Sequence, residues 1–99
     1  MPFLLQVAPR PDLSRLEIAR QLRDAVIHED DDLVVLNKPA HIACQAGTGI
    51  AFGIVDYFVS THGQLYLAHR LDKPTTGVLV LAKSARVCRM VQELSLIHI

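Results

Sequence analysis

Apolar residues recur every three or four positions in three stretches of the chain, which is the spacing of one face of a helix. The first stretch follows Ser14, which together with Glu17 has the spacing of a capping box. Gly63 closes the second stretch, and Ser84 is a suitable N-cap for the third. These signals predict helices over residues 14–25 and 85–93, and a helix between them that starts at residue 50 and is closed by Thr61-His62-Gly63.

Short runs of branched apolar residues lie between these helices and are typical of strands. An acidic turn at residues 29–32 separates two such runs, and Asn37-Lys38-Pro39 ends the second because proline cannot donate to a strand ladder. The closely spaced first pair favours an α+β fold with a mixed or mainly antiparallel sheet over a doubly wound one. The predicted strands span residues 26–28, 33–36, 65–68 and 78–82.

Length and composition fit one small folded domain, since the chain has 99 residues, of which 51% are hydrophobic and 20% charged. Residues 1–25 form a linker-like lead-in that contains prolines and the first helix. No apolar run reaches the roughly 20 residues that span a bilayer, so a membrane role finds no support. Cys44 and Cys88 lack metal-ligand spacing, and we interpret them as free thiols of a cytoplasmic protein.

The net charge is zero, but the charges are unevenly distributed. Residues 24–36 hold five carboxylates and no lysine or arginine, whereas basic residues predominate from Arg70 onward. The basic group forms either a local anion-binding face or the solvated face of a helix and its flanks. Its members are Arg70, Lys73, Lys83, Arg86 and Arg89.

Several common motifs of catalysis and binding are missing from the sequence or fail on order. The five histidines have no paired-ligand spacing, which predicts no metal site, and there is no GxSxG elbow. The glycines of residues 47–53 resemble a dinucleotide fingerprint, but the preceding strand ends near Lys38, too early for that motif. His69-Arg70-Leu71-Asp72 differs from the kinase HRD loop by the inserted leucine and lacks its asparagine.

Asp72 follows a predicted strand and begins a turn rich in proline, threonine and glycine. Its neighbours Arg70 and Lys73 favour the ionised carboxylate, which suits a nucleophile or a general base. The alternative is that Asp72 caps the turn by accepting bonds from backbone N–H groups. The residues alone leave both interpretations open and favour the cap modestly.

Residues 69–83, HRLDKPTTGVLVLAK, resemble the catalytic motif of the RluA-type RNA pseudouridine synthases, which reads approximately HRLDxxTSG followed by an apolar strand and AK. Thr76 replaces the usual serine and keeps the hydroxyl. Residues 29–39, EDDDLVVLNKP, resemble the acidic turn, strand and NKP of the same family, in the same order and separation. Residues 47–53 resemble the GSGxSFG stretch of the RluC-like branch, whose members modify large-subunit ribosomal RNA.

The resemblance covers about residues 26–93 and departs from the family in the loop after NKP. Ala40-His41 stands where the family usually has a small residue and a glycine, and Cys44-Gln45 replaces a common Val-His. The family's catalytic domain continues further and supplies a tyrosine against the base and a basic partner for the aspartate. The resemblance thus implies that residues 26–93 are a partial catalytic domain, inactive alone.

The resemblance implies isomerisation of uridine to pseudouridine, with Asp72 as the catalytic carboxylate. Arg70 would occupy the space left by the flipped base and pair with Asp72, while Lys38 and His69 would contact substrate and shape its pocket. The family needs no cofactor or metal. The implied partner is RNA of the 23S ribosomal type, and the complete protein is expected to be a monomer.

Two further expectations concern the ends of the sequence and its alternative function. Residues 94–99, LSLIHI, have β-branched residues and no helix cap, and they match one translation of a sequencing-library adapter, which predicts a non-native tail. A non-catalytic RNA-binding module that uses the basic residues after Arg70 is the competing hypothesis, because phosphate contacts alone give nonspecific affinity.

Overall fold

The computed structural model describes residues 14–45, 47 and 52–97, with side chains as far as Leu94. The described residues form α1 (Arg15–Ala25), β1 (Val26–Glu29), β2 (Leu33–Lys38), α2 (Ile54–His62), β3 (Tyr66–Leu67), β4 (Gly77–Ala82) and α3 (Ala85–Ile97). The strands make one sheet in the order β1-β2-β4-β3, and all three pairings are antiparallel. The predicted α+β fold with a mainly antiparallel sheet is confirmed.

The main core lies between the central β2–β4 pair and the apolar faces of α1 and α2. Alternate residues of a strand point to the same face, so every second residue of β2 points inward and is buried. α3 packs against β3 and β4 through a second, smaller cluster. The residues of the main core that are fully buried are Leu22, Val34, Leu36, Ile42, Ile54, Phe58, Leu79 and Leu81.

The two predicted helix caps are present. The hydroxyl of Ser14 accepts a hydrogen bond from the Glu17 amide at 3.1 Å, and that of Ser84 accepts one from Val87 at 3.2 Å. α3 continues to Ile97, four residues beyond its predicted end, because a branched residue in the last turn lowers helix propensity by only a few tenths of a kcal/mol. The non-native origin of residues 94–99 stays a prediction.

The start of α2 is fixed by a close backbone approach. The helix begins at Ile54 rather than residue 50, which lies outside the described residues. A Cβ on Gly53 would lie 2.8 Å from the carbonyl oxygen of Ala43, so only glycine fits there. The amides of Ile54 and Val55 donate to the carbonyls of Ala43 and Cys44, both at 2.9 Å. The glycine-containing loop therefore joins α2 to the segment after β2.

None of the helices described here is long and apolar enough to cross a membrane.

The acidic turn between β1 and β2 is organised by Asp30. One oxygen of this carboxylate accepts hydrogen bonds from the amides of Asp32 and Leu33 at 2.8 and 2.9 Å. The other oxygen lies 2.8 Å from Nε2 of His28. These contacts, with the His28 bond as the largest, lower the pKa of Asp30 from 3.8 to about 2.

The Asp30 carboxylate is expected to stabilise the fold in a pH-dependent way. Because its pKa is lower in the folded chain than in the unfolded chain, the stabilisation is complete above the ordinary value of 3.8 and disappears as the pH falls through 2. Asp30→Asn should therefore reduce the free energy of unfolding at pH 6, and its difference from the wild type should shrink between pH 4 and 2. Urea denaturation across this range measures it, with Asp31→Asn as the control for loss of charge. A difference independent of pH would contradict the assignment.

Candidate active site

The segment from Ala68 to Thr76 joins β3 to β4 and carries the predicted catalytic aspartate. The Thr75 amide donates to the backbone carbonyl of Asp72 at 2.9 Å, which closes a turn, and the Asp72 side chain is exposed. A cleft of about 270 Å³ opens beside it, close to the lower end for pockets that hold small molecules. Its lining comes from two segments: Ala43, Cys44, Gln45 and Gly47, and Arg70, Leu71, Asp72 and Lys73.

Lys38 is hydrogen-bonded to the part of this turn that follows Asp72. It continues the inward alternation of β2, so its side chain is only 1% exposed. Its ammonium donates to the carbonyls of Pro39, Lys73 and Thr75 at 3.0, 2.9 and 2.7 Å. An ammonium has three N–H donors, so these bonds use them all. The contacts support a role in shaping the pocket, while direct contact between Lys38 and substrate stays a prediction.

The Lys38 site is electrostatically unusual because the charge is buried. Burial lowers the pKa of Lys38 from its ordinary value of 10.5, and the nearby Cys44 and Asp72 raise it in part. The three carbonyl dipoles take the place of water around the ammonium. The charge therefore lies behind the Asp72 turn and contributes a positive potential there.

Cys44 is hydrogen-bonded to Leu71, the residue just before Asp72. Its sulfur donates to the carbonyl of Leu71 at 3.3 Å and accepts from the amide of the same residue at 3.5 Å. Leu71 lies between Arg70 and Asp72, so these two bonds fix the backbone from which both side chains extend. Cys44 is buried and, like Cys88, a free thiol. The sequence marked Cys44 as a free thiol and as a departure from the family pattern, and it gave no sign of this contact.

His69 extends the sheet past the end of β3. Its Nε2 accepts a hydrogen bond from the Val80 amide at 3.3 Å, which leaves the ring proton on Nδ1 in the neutral form. β3 contains two residues instead of the four predicted. At its carboxyl-terminal end the imidazole takes the Val80 amide that a longer strand would have bonded. The predicted contact between His69 and substrate stays a prediction.

Arg70 and Asp72 both line the cleft, as their spacing of two residues suggests. Within the described part of the chain, however, they do not form an ion pair, and Arg70 is exposed. The pairing that the resemblance implies for the complex with RNA therefore stays a prediction. Among the described residues no group of three or more histidines, cysteines and carboxylates could hold a metal ion.

Gly77 ends the turn and begins β4 opposite Lys38. Its φ of 140° lies in a region that side chains rarely adopt. Space is not the limit, since an added Cβ would lie 3.6 Å from a methyl of Leu71. The glycine of the motif is thus required by backbone conformation.

Gly77→Ala is expected to lower the free energy of unfolding by about 1–3 kcal/mol, because alanine must adopt that φ or move the strand. Chemical denaturation of the two chains measures the loss. Gly47→Ala is a matched control, since no atom of the non-adjacent residues described lies within 4 Å of its added Cβ and no left-handed φ is required there. Equal stability of Gly77→Ala and the wild type would show that the turn relaxes without cost.

Comparison with known proteins gives consistent matches over this region. Residues 32–95 match the model of a family described as RNA pseudouridylate synthase. The chain is 33% identical over 96 residues to the "ribosomal large subunit pseudouridine synthase C" of Haemophilus ducreyi, a match covering 91% of the chain and 30% of that protein. It is 37% identical over 81 residues to the protein of the same name from Escherichia coli, covering 79% of the chain and 25% of the relative.

Solved structures agree with these sequence matches. The human "RNA pseudouridylate synthase domain containing 4" is 38% identical and superposes with a TM-score of 0.62 over 79% of the chain and 31% of that structure. The human "RNA pseudouridylate synthase domain containing 1" is 18% identical with a TM-score of 0.55 and shows the same fold. The chain spans about a third or less of the length of the proteins it matches.

Proposed function

Because this chain belongs to the RNA pseudouridylate synthase family, we propose that the protein isomerises uridine to pseudouridine in RNA, with Asp72 as the catalytic residue. The observation that carries the proposal is the geometry of the HRLD segment. It presents an exposed carboxylate at a cleft, and Cys44 and Lys38 bond to the backbone just before and just after Asp72. A fixed and accessible carboxylate is what nucleophilic or base catalysis on a sugar requires.

The reaction breaks the bond from C1′ to N1, turns the uracil, and forms a bond from C1′ to C5. C5 loses its proton and N1 gains one, so no atom enters or leaves overall and no oxidant is needed. In this proposal Asp72 either attacks C1′ or removes a proton from the sugar to give a glycal. Both routes use the ionised carboxylate, and both leave Arg70 beside it to occupy the space of the flipped base.

The proposed substrate is large-subunit ribosomal RNA, since the curated relatives carry that substrate in their names. A uridine inside an RNA helix must leave the stack before a carboxylate can reach its sugar. Lys73 lines the same cleft and would meet a flanking phosphate. A ribosomal substrate agrees with a cytoplasmic protein, and we expect the complete enzyme to act as a monomer.

The proposal is tested by joining the chain to the carboxyl-terminal remainder of the Haemophilus ducreyi relative and incubating the product with large-subunit ribosomal RNA. Mass spectrometry of nuclease digests should then detect pseudouridine at defined positions. The relative's remainder alone is the control and should form none. A joined protein that folds and binds the RNA without forming pseudouridine would favour the non-catalytic RNA-binding module.

A further inference from the structure

His41 adopts a backbone conformation that does not suit it. Its φ is 69°, and it is the one residue other than glycine with a positive φ among those that the structure describes. The two other positive values there belong to Gly63 and Gly77. Glycine adopts a left-handed conformation without steric strain, whereas the same conformation destabilises a residue that has a Cβ. The chain therefore carries a strained histidine where glycine would satisfy the backbone better.

The same backbone is tied to the Asp72 turn. The amide of His41 donates to the carbonyl of Lys73 at 2.7 Å, and that carbonyl also accepts from the Lys38 ammonium at 2.9 Å. Lys73 directly follows Asp72, so His41 is connected to the catalytic turn through one short bond. The hydrogen bond itself needs only the amide, which glycine also has. The bond therefore explains the loop path and not the imidazole.

The His41 side chain is exposed, unlike the neighbouring residues Ile42, Ala43 and Cys44, which are buried. Among the described residues the ring has no hydrogen bond, ion pair or aromatic contact. Strained residues persist at sites where the side chain has a task in binding or catalysis. His41 does not itself line the cleft, but its backbone is bonded to Lys73, which does. An exposed aromatic ring on that backbone is suited to stacking on a single-stranded base next to a phosphate contact.

We propose that His41 contacts RNA, by stacking its imidazole on a nucleotide that flanks the uridine bound at Asp72. This inference rests on the proposed function for the identity of the ligand, but it concerns binding and not the isomerisation. His41 would fix the strand beside the target and so contribute to the choice of uridine. It is a specificity-determining residue in this assignment and takes no part in breaking the glycosidic bond.

The test is RNA affinity measured together with stability on the 99-residue chain, using a fluorescein-labelled RNA hairpin with a uridine in its single-stranded loop. His41→Gly should weaken binding on the order of tenfold, because stacking on the ring is lost. The same change should raise the unfolding midpoint by roughly 2–5 °C, because the left-handed strain is relieved. Affinity and stability thus move in opposite directions, which a merely structural role for His41 would not produce.

Two further variants complete the test. His41→Asn tolerates a positive φ but has no aromatic ring, and it should bind as weakly as His41→Gly. His41→Tyr restores a stacking ring and should stay within about threefold of the wild type. His28→Ala removes an exposed ring on β1 and should leave the affinity unchanged. Wild-type affinity of His41→Gly, weak binding by His41→Tyr, or no binding by the wild-type chain would each overturn the proposal. Pseudouridine formation by the joined protein is measured separately, so the two proposals can fail independently.

Discussion

Asp72→Asn is expected to abolish pseudouridine formation, lowering the rate by at least about 10³-fold in the joined protein. Asparagine keeps the size and shape of the side chain but carries no charge, so it can neither attack C1′ nor accept a sugar proton. The side chain is exposed, and stability should change by less than about 0.5 kcal/mol. Steady-state assays on ribosomal RNA, with urea denaturation alongside, separate the loss of chemistry from a loss of folding.

The RNA affinity of Asp72→Asn separates a loss of chemistry from a loss of substrate binding. A catalytic aspartate predicts that binding survives, or tightens slightly as a negative charge leaves the cleft. Asp31→Asn, in the exposed turn before β2, removes the same charge away from the cleft and should retain full activity. Activity of Asp72→Asn within tenfold of the wild type would refute the role assigned to the carboxylate.

Lys38→Met should cause the largest loss of stability, about 2–4 kcal/mol. Methionine fills much of the same volume, but the carbonyls of Pro39, Lys73 and Thr75 lose their donor in a buried place. Since two of these carbonyls belong to the Asp72 turn, activity in the joined protein should fall as well. Urea denaturation at neutral pH measures the change in stability.

The pH dependence of the wild type gives a second measurement on Lys38. Burial places the folded pKa below the unfolded value of 10.5, so the folded chain releases this proton first. The free energy of unfolding should therefore rise with pH between the folded pKa of Lys38 and 10.5. This rise should be absent from Lys38→Met. Lys83→Met is the control for the loss of stability in Lys38→Met. Lys83 makes a surface ion pair with Glu29 at 3.0 Å that contributes at most about 1 kcal/mol. Equal stability of Lys38→Met and Lys83→Met would contradict the stabilising role assigned to the Lys38 hydrogen bonds.

Local signals in the sequence predicted most of the secondary structure. The spacing from Ser14 to Glu17, the cap at Ser84 and the proline after Lys38 each act within a few residues, so each could be recognised without tertiary information. The errors lie at ends that depend on other parts of the chain. β3 ends early because His69 replaces its next ladder bond, and α2 starts late because Gly53 packs against Ala43.

The sequence by itself determined the α+β fold and the order of the elements, because residue type and short spacing carry that information, and its resemblance to a known family singled out Asp72 as the proposed catalytic carboxylate. Only the tertiary structure decided how the site is held. Lys38 reaches carbonyls 35 and 37 residues away, and Cys44 meets the backbone of Leu71 27 residues away. Backbone carbonyls and amides are the same in every residue, so such partners leave no mark in the sequence. They follow from the path of the loops alone, as does the strained backbone of His41 beside Lys73.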